Sequence, residues 1–156
     1  CFVVDSPQAL LNCRTEPPFQ TQVKLLGVYP LPGGFLASAT FQSLPGPQVT
    51  ASYTAPNSII ASSRGRNLAS GANGTAVVPL IAPGTLYGDR LNQLDLRGSK
   101  IVRLWGERRV QINVDLYNSL NAGAVLAHNN TFGGAWLRPT QLLQGRLLRF
   151  GAQLDF

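Results

Sequence analysis

The sequence has no methionine, one histidine and two cysteines among its 156 residues. With His128 alone, no histidine cluster can hold a metal. Cys1 and Cys13 lack the short paired spacing of a zinc site. These cysteines instead fit a small loop-closing disulfide formed in an oxidising compartment. Long apolar runs are also missing. Apolar residues make up 44% of the chain, yet no run approaches the roughly 18 residues of a transmembrane helix. Charge is scarce at 13%, about half the usual share of a soluble domain. The net charge of +6 raises a nucleic-acid reading. However, the basic residues are scattered and the longest run is Arg108-Arg109. No nucleic-acid partner is therefore expected, and the charge is assigned to a polar interior and to rims facing anionic headgroups. The chain opens at Cys1 without a charged and apolar leader, so it reads as a piece of a longer polypeptide.

What is present is glycine (16), proline (11) and alternation of apolar and polar residues with period two. The alternation is cleanest at the end, where Leu148, Phe150, Ala152, Leu154 and Phe156 share one face and Arg149, Gly151, Gln153 and Asp155 the other. Similar patterns predict strands over about 19–29, 35–54, 90–104, 109–120 and 141–156, the second bent at Pro45-Gly46-Pro47 because proline cannot donate to a ladder. Short turns at 30–34 and 105–108 alternate with long polar segments at 55–89 and 121–140. Outer-membrane barrels alternate short periplasmic turns with long extracellular loops in this way. Tyr29, Phe35, Trp105 and Phe156 fall at the predicted periplasmic ends, as an interfacial girdle would.

The expected fold class is all-β: an antiparallel up-and-down transmembrane β-barrel segment of about five strands. Residues 1–156 would form that one segment, closed only with further strands or other copies, since the smallest membrane barrels have about eight strands. The apolar face would meet lipid. The opposite face, rich in Gln and Asn, would line the interior, where the hairpin through Trp105–Arg108 brings Arg97 beside Asp115 as an ion pair. Lys100, on the apolar face near a rim, would snorkel.

Four further stretches resemble a known family when taken together: Asn92-Gln93-Leu94-Asp95-Leu96-Arg97, Asp115-Leu116-Tyr117-Asn118-Ser119-Leu120-Asn121, Trp136-Leu137-Arg138-Pro139-Thr140 and the closing Phe150-Gly151-Ala152-Gln153-Leu154-Asp155-Phe156. They look like the end of a TonB-dependent outer-membrane receptor of the kind that carries a carboxypeptidase-regulatory-like domain. Pro18–Gln22, Tyr29–Pro32 and Gly65–Ala69 extend the resemblance to the N-terminal half. The resemblance implies a barrel of about 22 strands around a plug, in the bacterial outer membrane. It also implies uptake of metal chelates or glycans, driven by the inner-membrane TonB complex. Phe156, with Leu154 and Phe150, matches the terminal signal read by the barrel-assembly machinery. The plug and its TonB-contacting segment are not among residues 1–156.

No cofactor, metal or enzymatic activity is expected. No Gly-x-Ser-x-Gly elbow accompanies His128. Asp95 and Asp115, conceivable as a pair of acids as in glycosidases, have Arg or Tyr as nearer neighbours. The alternative reading is an independent small oligomeric β-barrel protein, a ligand-binding protein or hydrolase, with His128, Asp95, Asp115 and Tyr117 as its candidate residues. A structural or adhesive surface protein is a third class.

Overall fold

In a computed structural model of the chain, residues 13–156 are described. The protein is mostly β, with a five-stranded antiparallel sheet, two two-stranded hairpins and one short helix; no closed barrel is formed among the described residues. The sheet comprises β1 (Val23–Leu31), β2 (Phe35–Leu44), β5 (Leu91–Arg103), β6 (Arg109–Tyr117) and β9 (Leu147–Asp155), adjacent in that order. The smaller elements are β3 (Ser52–Pro56), α1 (Asn57–Arg64), β4 (Thr75–Pro79), β7 (Val125–His128) and β8 (Pro139–Leu142).

The five sheet strands lie where alternation predicts five strands, with three differences. The stretch 35–54 is not one strand: β2 ends at Leu44, and Ser52–Pro56 pairs with β4 in a separate sheet. Pro45 and Pro47 flank Gly46 just beyond β2, and two missing donors end a strand rather than bend it. The last strand begins at Leu147, and the preceding apolar-polar stretch forms the separate β8. The long connections 55–89 and 121–140 are also structured, holding α1, β4 and β7.

Cross-strand neighbours share a face, so the registers define both surfaces of the sheet. One continuous row runs Gly27, Ala39, Leu96, Leu116, Leu148, and the next runs Tyr29, Ala37, Gly98, Val114, Phe150. The rows beyond carry Leu31, Phe35, Lys100, Ile112, Ala152 and then Val102, Val110, Leu154. These four rows are apolar apart from Lys100; Ser43 and Asn92 follow on the same face toward the loop end. The other face carries Ser38, Arg97, Asp115, Arg149 in one row and Ser99, Asn113 in the next.

Tight turns join β1 to β2 and β5 to β6. Gly33 and Gly34 both have φ near +77° (76° and 78°), a region open mainly to glycine. The Gly34 carbonyl accepts from Ile101 N at 2.8 Å, and a Cβ on Gly34 would lie 2.8 Å from the Ile101 oxygen. Only glycine fits there.

The chain divides into two compact units: one of 1–19, 47–88 and 127–141, the other of 20–46, 89–126 and 142–156. The first holds the hairpins' apolar core. Val49, Ala51, Ala55, Leu68 and Ala76 are buried there. Asn57 organises this core: its side chain accepts from Leu68 N at 2.9 Å and donates to Asn67 Oδ1 at 3.0 Å, while its backbone donates to Gly74 O at 2.9 Å. α1 stops at Gly65, whose φ of 68° and hydrogen bond to Ala61 O close the last turn.

The second unit, the sheet, has no buried apolar side chain among the described residues; its buried groups are Ser99, Asp115 and Asn118. Phe150 is 72% exposed, Tyr29 68% and Leu148 52%. Five strands at about 4.8 Å spacing and about 3.3 Å per residue give this apolar face roughly 700 Å². Exposed apolar patches of that size mark interaction surfaces.

Candidate functional site

The polar face of the sheet holds the most densely bonded group of side chains in that unit. At its centre Asp115, the largest fully buried side chain, is held from both neighbouring strands. Arg97 on β5 pairs with Asp115 Oδ1 through Nε, and its Nη2 lies 3.4 Å from Oδ2. Arg149 on β9 donates to Oδ2 from Nε at 2.9 Å and approaches it with Nη2 at 2.8 Å. The Arg149 guanidinium also lies 5.4 Å from the centre of the Tyr117 ring, within cation–π range. The Tyr117 hydroxyl is 3.5 Å from Asp115 Oδ2. One carboxylate thus ties three strands, and the group keeps a net positive charge.

On the loop side of this triad, Asp95 accepts from Gln93 Nε2 at 3.0 and 3.1 Å and from Asn118 N at 2.8 Å. Gln93 in turn accepts from Gln42 at 3.0 Å. On the turn side, Asn113 Oδ1 accepts from Ser99 Oγ at 2.7 Å and from Gln111 Nε2 at 2.9 Å. Nearest the turns, Asp155 takes Arg109 Nε at 2.8 Å and Gln153 Nε2 at 2.9 Å. Every strand from β2 to β9 in the sheet contributes to this lattice of polar side chains.

Asn118 is the pivot at the loop end. It is buried, with φ of 47°, a left-handed conformation that Asn tolerates better than most residues. Its Nδ2 donates to Ala122 O at 2.9 Å and to Gln144 O at 2.8 Å, and its Oδ1 accepts from Ala122 N at 2.9 Å. Asn121, also left-handed at φ 52°, accepts from Arg146 N at 3.2 Å. The Asp-x-Tyr-Asn-x-x-Asn stretch is therefore a structural clasp: its Asp joins three strands and its two Asn residues join the ends of the following excursion.

The remaining sequence-predicted residues fall as follows. Cys13 is disulfide-bonded, and its expected partner Cys1 lies outside the described residues. Phe150 and Leu154 point from β9 into the apolar face, and Phe156 follows the strand almost fully exposed at 97%. Lys100 donates its Nζ to Gly33 O and holds it 3.9 Å from the centre of the Phe35 ring, so the one charge on the apolar face is led to its turn end. Asp95, Asp115 and Tyr117 share the polar face, with both acids already bonded, whereas His128 belongs to the loop unit. His128 Nε2 is buried with no hydrogen-bond partner, beside Gly88, where an added Cβ would meet it at 3.2 Å. Sequence reasoning pairs Arg97 with Asp115 but does not reach Arg149 or the Asn118 clasp.

Among the described residues no group of three or more His, Cys, Asp or Glu is placed to hold a metal ion, and no helix is long and apolar enough to cross a membrane, which leaves strands unaddressed. The sequence matches no known protein-family profile, no curated protein and no solved structure.

Proposed function

We propose that the sheet is part of the wall of a bacterial outer-membrane β-barrel, the C-terminal strands of a TonB-dependent transporter that takes up bulky nutrients such as metal chelates or glycans. The observation that carries this reading is the contrast between the two faces of the sheet: a continuous apolar surface exposed among the described residues, backed by a bonded polar surface whose buried groups are Ser99 and Asp115. Strands of nine, ten, thirteen, nine and nine residues suit a bilayer, which a tilted strand of about 9–11 residues crosses. Lipid would cover the apolar face, as it does in barrels with outward apolar bands. Trp105, Tyr29 and Phe35 would form the interfacial girdle, and Lys100 would reach the same rim. Phe156, with Leu154 and Phe150, would be read by the assembly machinery. The edges β1 and β9 would pair with further strands, and a plug outside residues 1–156 would link the barrel to the TonB complex.

Depth-dependent quenching tests the wall. In protein whose two native tryptophans are replaced by Phe, Ile112→Trp on the apolar face should be quenched strongly by lipids brominated along their acyl chains. Gln111→Trp on the polar face should not. Equal quenching at the two positions, or a native protein that stays dispersed without detergent, would sink the proposal.

A second reading rests on the two open edges, which recruit other strands. Under it, copies of this chain would pair β1 with β9 into an independent oligomeric barrel. A defined homo-oligomer of this chain in light scattering, with no other polypeptide present, would favour it.

A further inference from the structure

Lys100 is the one charge in the four apolar rows, and no carboxylate answers it there. Its Nζ donates to the Gly33 carbonyl and stands 3.9 Å from the centre of the Phe35 ring. An ammonium has three donors, so the carbonyl leaves others to offer. The turn 30–34 carries no acid. At the same end of the sheet, Asp155 is engaged by Arg109 on the polar face, and Glu107 sits in the other turn, followed by Arg108. Among the described residues, the positive charge at this spot has no acidic counterpart.

The surface beside Lys100 is also not flat. A recess of about 270 Å³ is lined by Lys100 together with Leu31, Phe35, Ala37, Gly98 and Ile112, and no acid enters its lining. A second recess, of about 630 Å³, shares Ala37 and Gly98 and continues to Gly27 and Ala39, one row further from the turns. A Cβ added at Gly98 or Gly27 would meet nothing within 4 Å, so the floor is open space. The two recesses make one groove along the strands, with a cation at its turn end and an apolar floor beyond.

We infer that this groove seats one anionic phospholipid, its phosphate on Lys100 and an acyl chain along Ala37, Gly98 and Gly27. The occupant is set by charge complementarity. A zwitterionic headgroup brings its own cation to balance its phosphate, whereas an anionic headgroup arrives with the charge that Lys100 lacks. Nζ is held down on the Phe35 ring and the Gly33 carbonyl. A phosphate therefore reaches it when the chain beneath lies low against the sheet, as the groove permits. The inference rests on the bilayer-wall reading and adds which lipid that wall selects.

The test is tryptophan quenching in vesicles of phosphatidylcholine and phosphatidylglycerol. The reporter is Val102→Trp in protein whose native tryptophans are replaced by Phe. Val102 follows Lys100 on the same face and stays outside the groove lining. At one fixed lipid composition, the acyl chains of either one lipid or the other carry bromine. The paired readings should give phosphatidylglycerol a relative affinity of about fivefold, the factor that one basic residue supplies toward an anionic headgroup layer. Lys100→Gln should abolish the preference, and Lys100→Arg should keep it. Gly98→Leu fills the groove without touching the charge. It should lower the preference by about twofold or more, since the attraction falls as the phosphate is lifted from Nζ. Equal affinity for the two lipids in the parent protein, a preference that survives Lys100→Gln, or one untouched by Gly98→Leu would overturn the inference and leave the wall standing. Quenching by neither lipid would overturn the wall, and the inference with it.

Discussion

The two units of this protein solve the problem of burial in opposite ways. The loop unit is conventional: among its described residues five apolar side chains, Leu68 the largest, are buried, and the buried side chain of Asn57 is bonded within it. The sheet inverts that order, with buried Asp115, Asn118 and Ser99 and with Phe150, Tyr29 and Leu148 outside. Water alone would penalise the second arrangement, because the apolar face would lie open to it. Under the proposed wall, a hydrocarbon solvent would remove that penalty and the bonded polar face would be the interior. The same chain thus contains one region with a buried apolar core and one whose buried side chains are polar and whose large apolar side chains are exposed.

Mutations can break that comparison. Leu68→Ala should cost the loop unit about 2–5 kcal/mol, as for other truncations of buried Leu. In hydrogen exchange the loss of protection should fall on residues 57–79 and spare the sheet; loss in β6 would show that the two regions are not separate. On the proposed bilayer wall, Val114→Arg, in the middle of the apolar face, should cost about 2–4 kcal/mol in urea unfolding from vesicles, the range for a basic residue at the bilayer midplane. Ile59→Arg, on the exposed side of α1, should change stability by less than about 0.5 kcal/mol. Similar costs at both positions would refute the contrast.

Three smaller effects sharpen the picture of the polar face. Asn118→Asp replaces two donors with acceptors facing the Ala122 and Gln144 carbonyls, and should cost about 1–3 kcal/mol. Exchange should then quicken first at Asn121–Arg146, the ends of the excursion. Gly34→Ala should cost about 1–2 kcal/mol from positive φ and the approach to Ile101 O, read as a lower midpoint of unfolding. Arg109→Ala, removing an exposed pair with Asp155 near the turns, should leave the midpoint of unfolding nearly unchanged. A larger loss would mean that this pair is closed off from solvent.

The parts of this architecture that the sequence discloses are those set by local geometry. Alternation marks the five sheet strands because each strand has one apolar face, and a short turn fixes register by symmetry. Folding the hairpin about Gly106 places Arg97 opposite Asp115 without reference to anything else. Arg149 is not accessible by such reasoning, since residues 118–146 separate β6 from β9 and no turn rule fixes a register across so long an excursion. The end of β2 at Leu44 was hidden for a related reason: Ser52–Pro56 continues the apolar alternation, and only its pairing with β4 shows that it belongs to another sheet. Asn118 falls inside the strand that alternation predicts over 109–120, and its role depends on where Gln144 and Asp95 arrive in space.

The Asn118 clasp has a consequence for how such a protein can change. Asn118 and Asn121 grip Gln144 and Arg146, and Leu143 N meets Ala124 O at 2.9 Å, so the segment leaving β6 and the segment approaching β9 are fastened at a neck. Whatever lies beyond that neck can be lengthened, shortened or exchanged as a cassette with little effect on the alignment beneath it, because closing a longer loop adds only about 0.6 kcal/mol per doubling of its length. Two asparagines thereby let the intervening segment diversify while β6 and β9 stay in register.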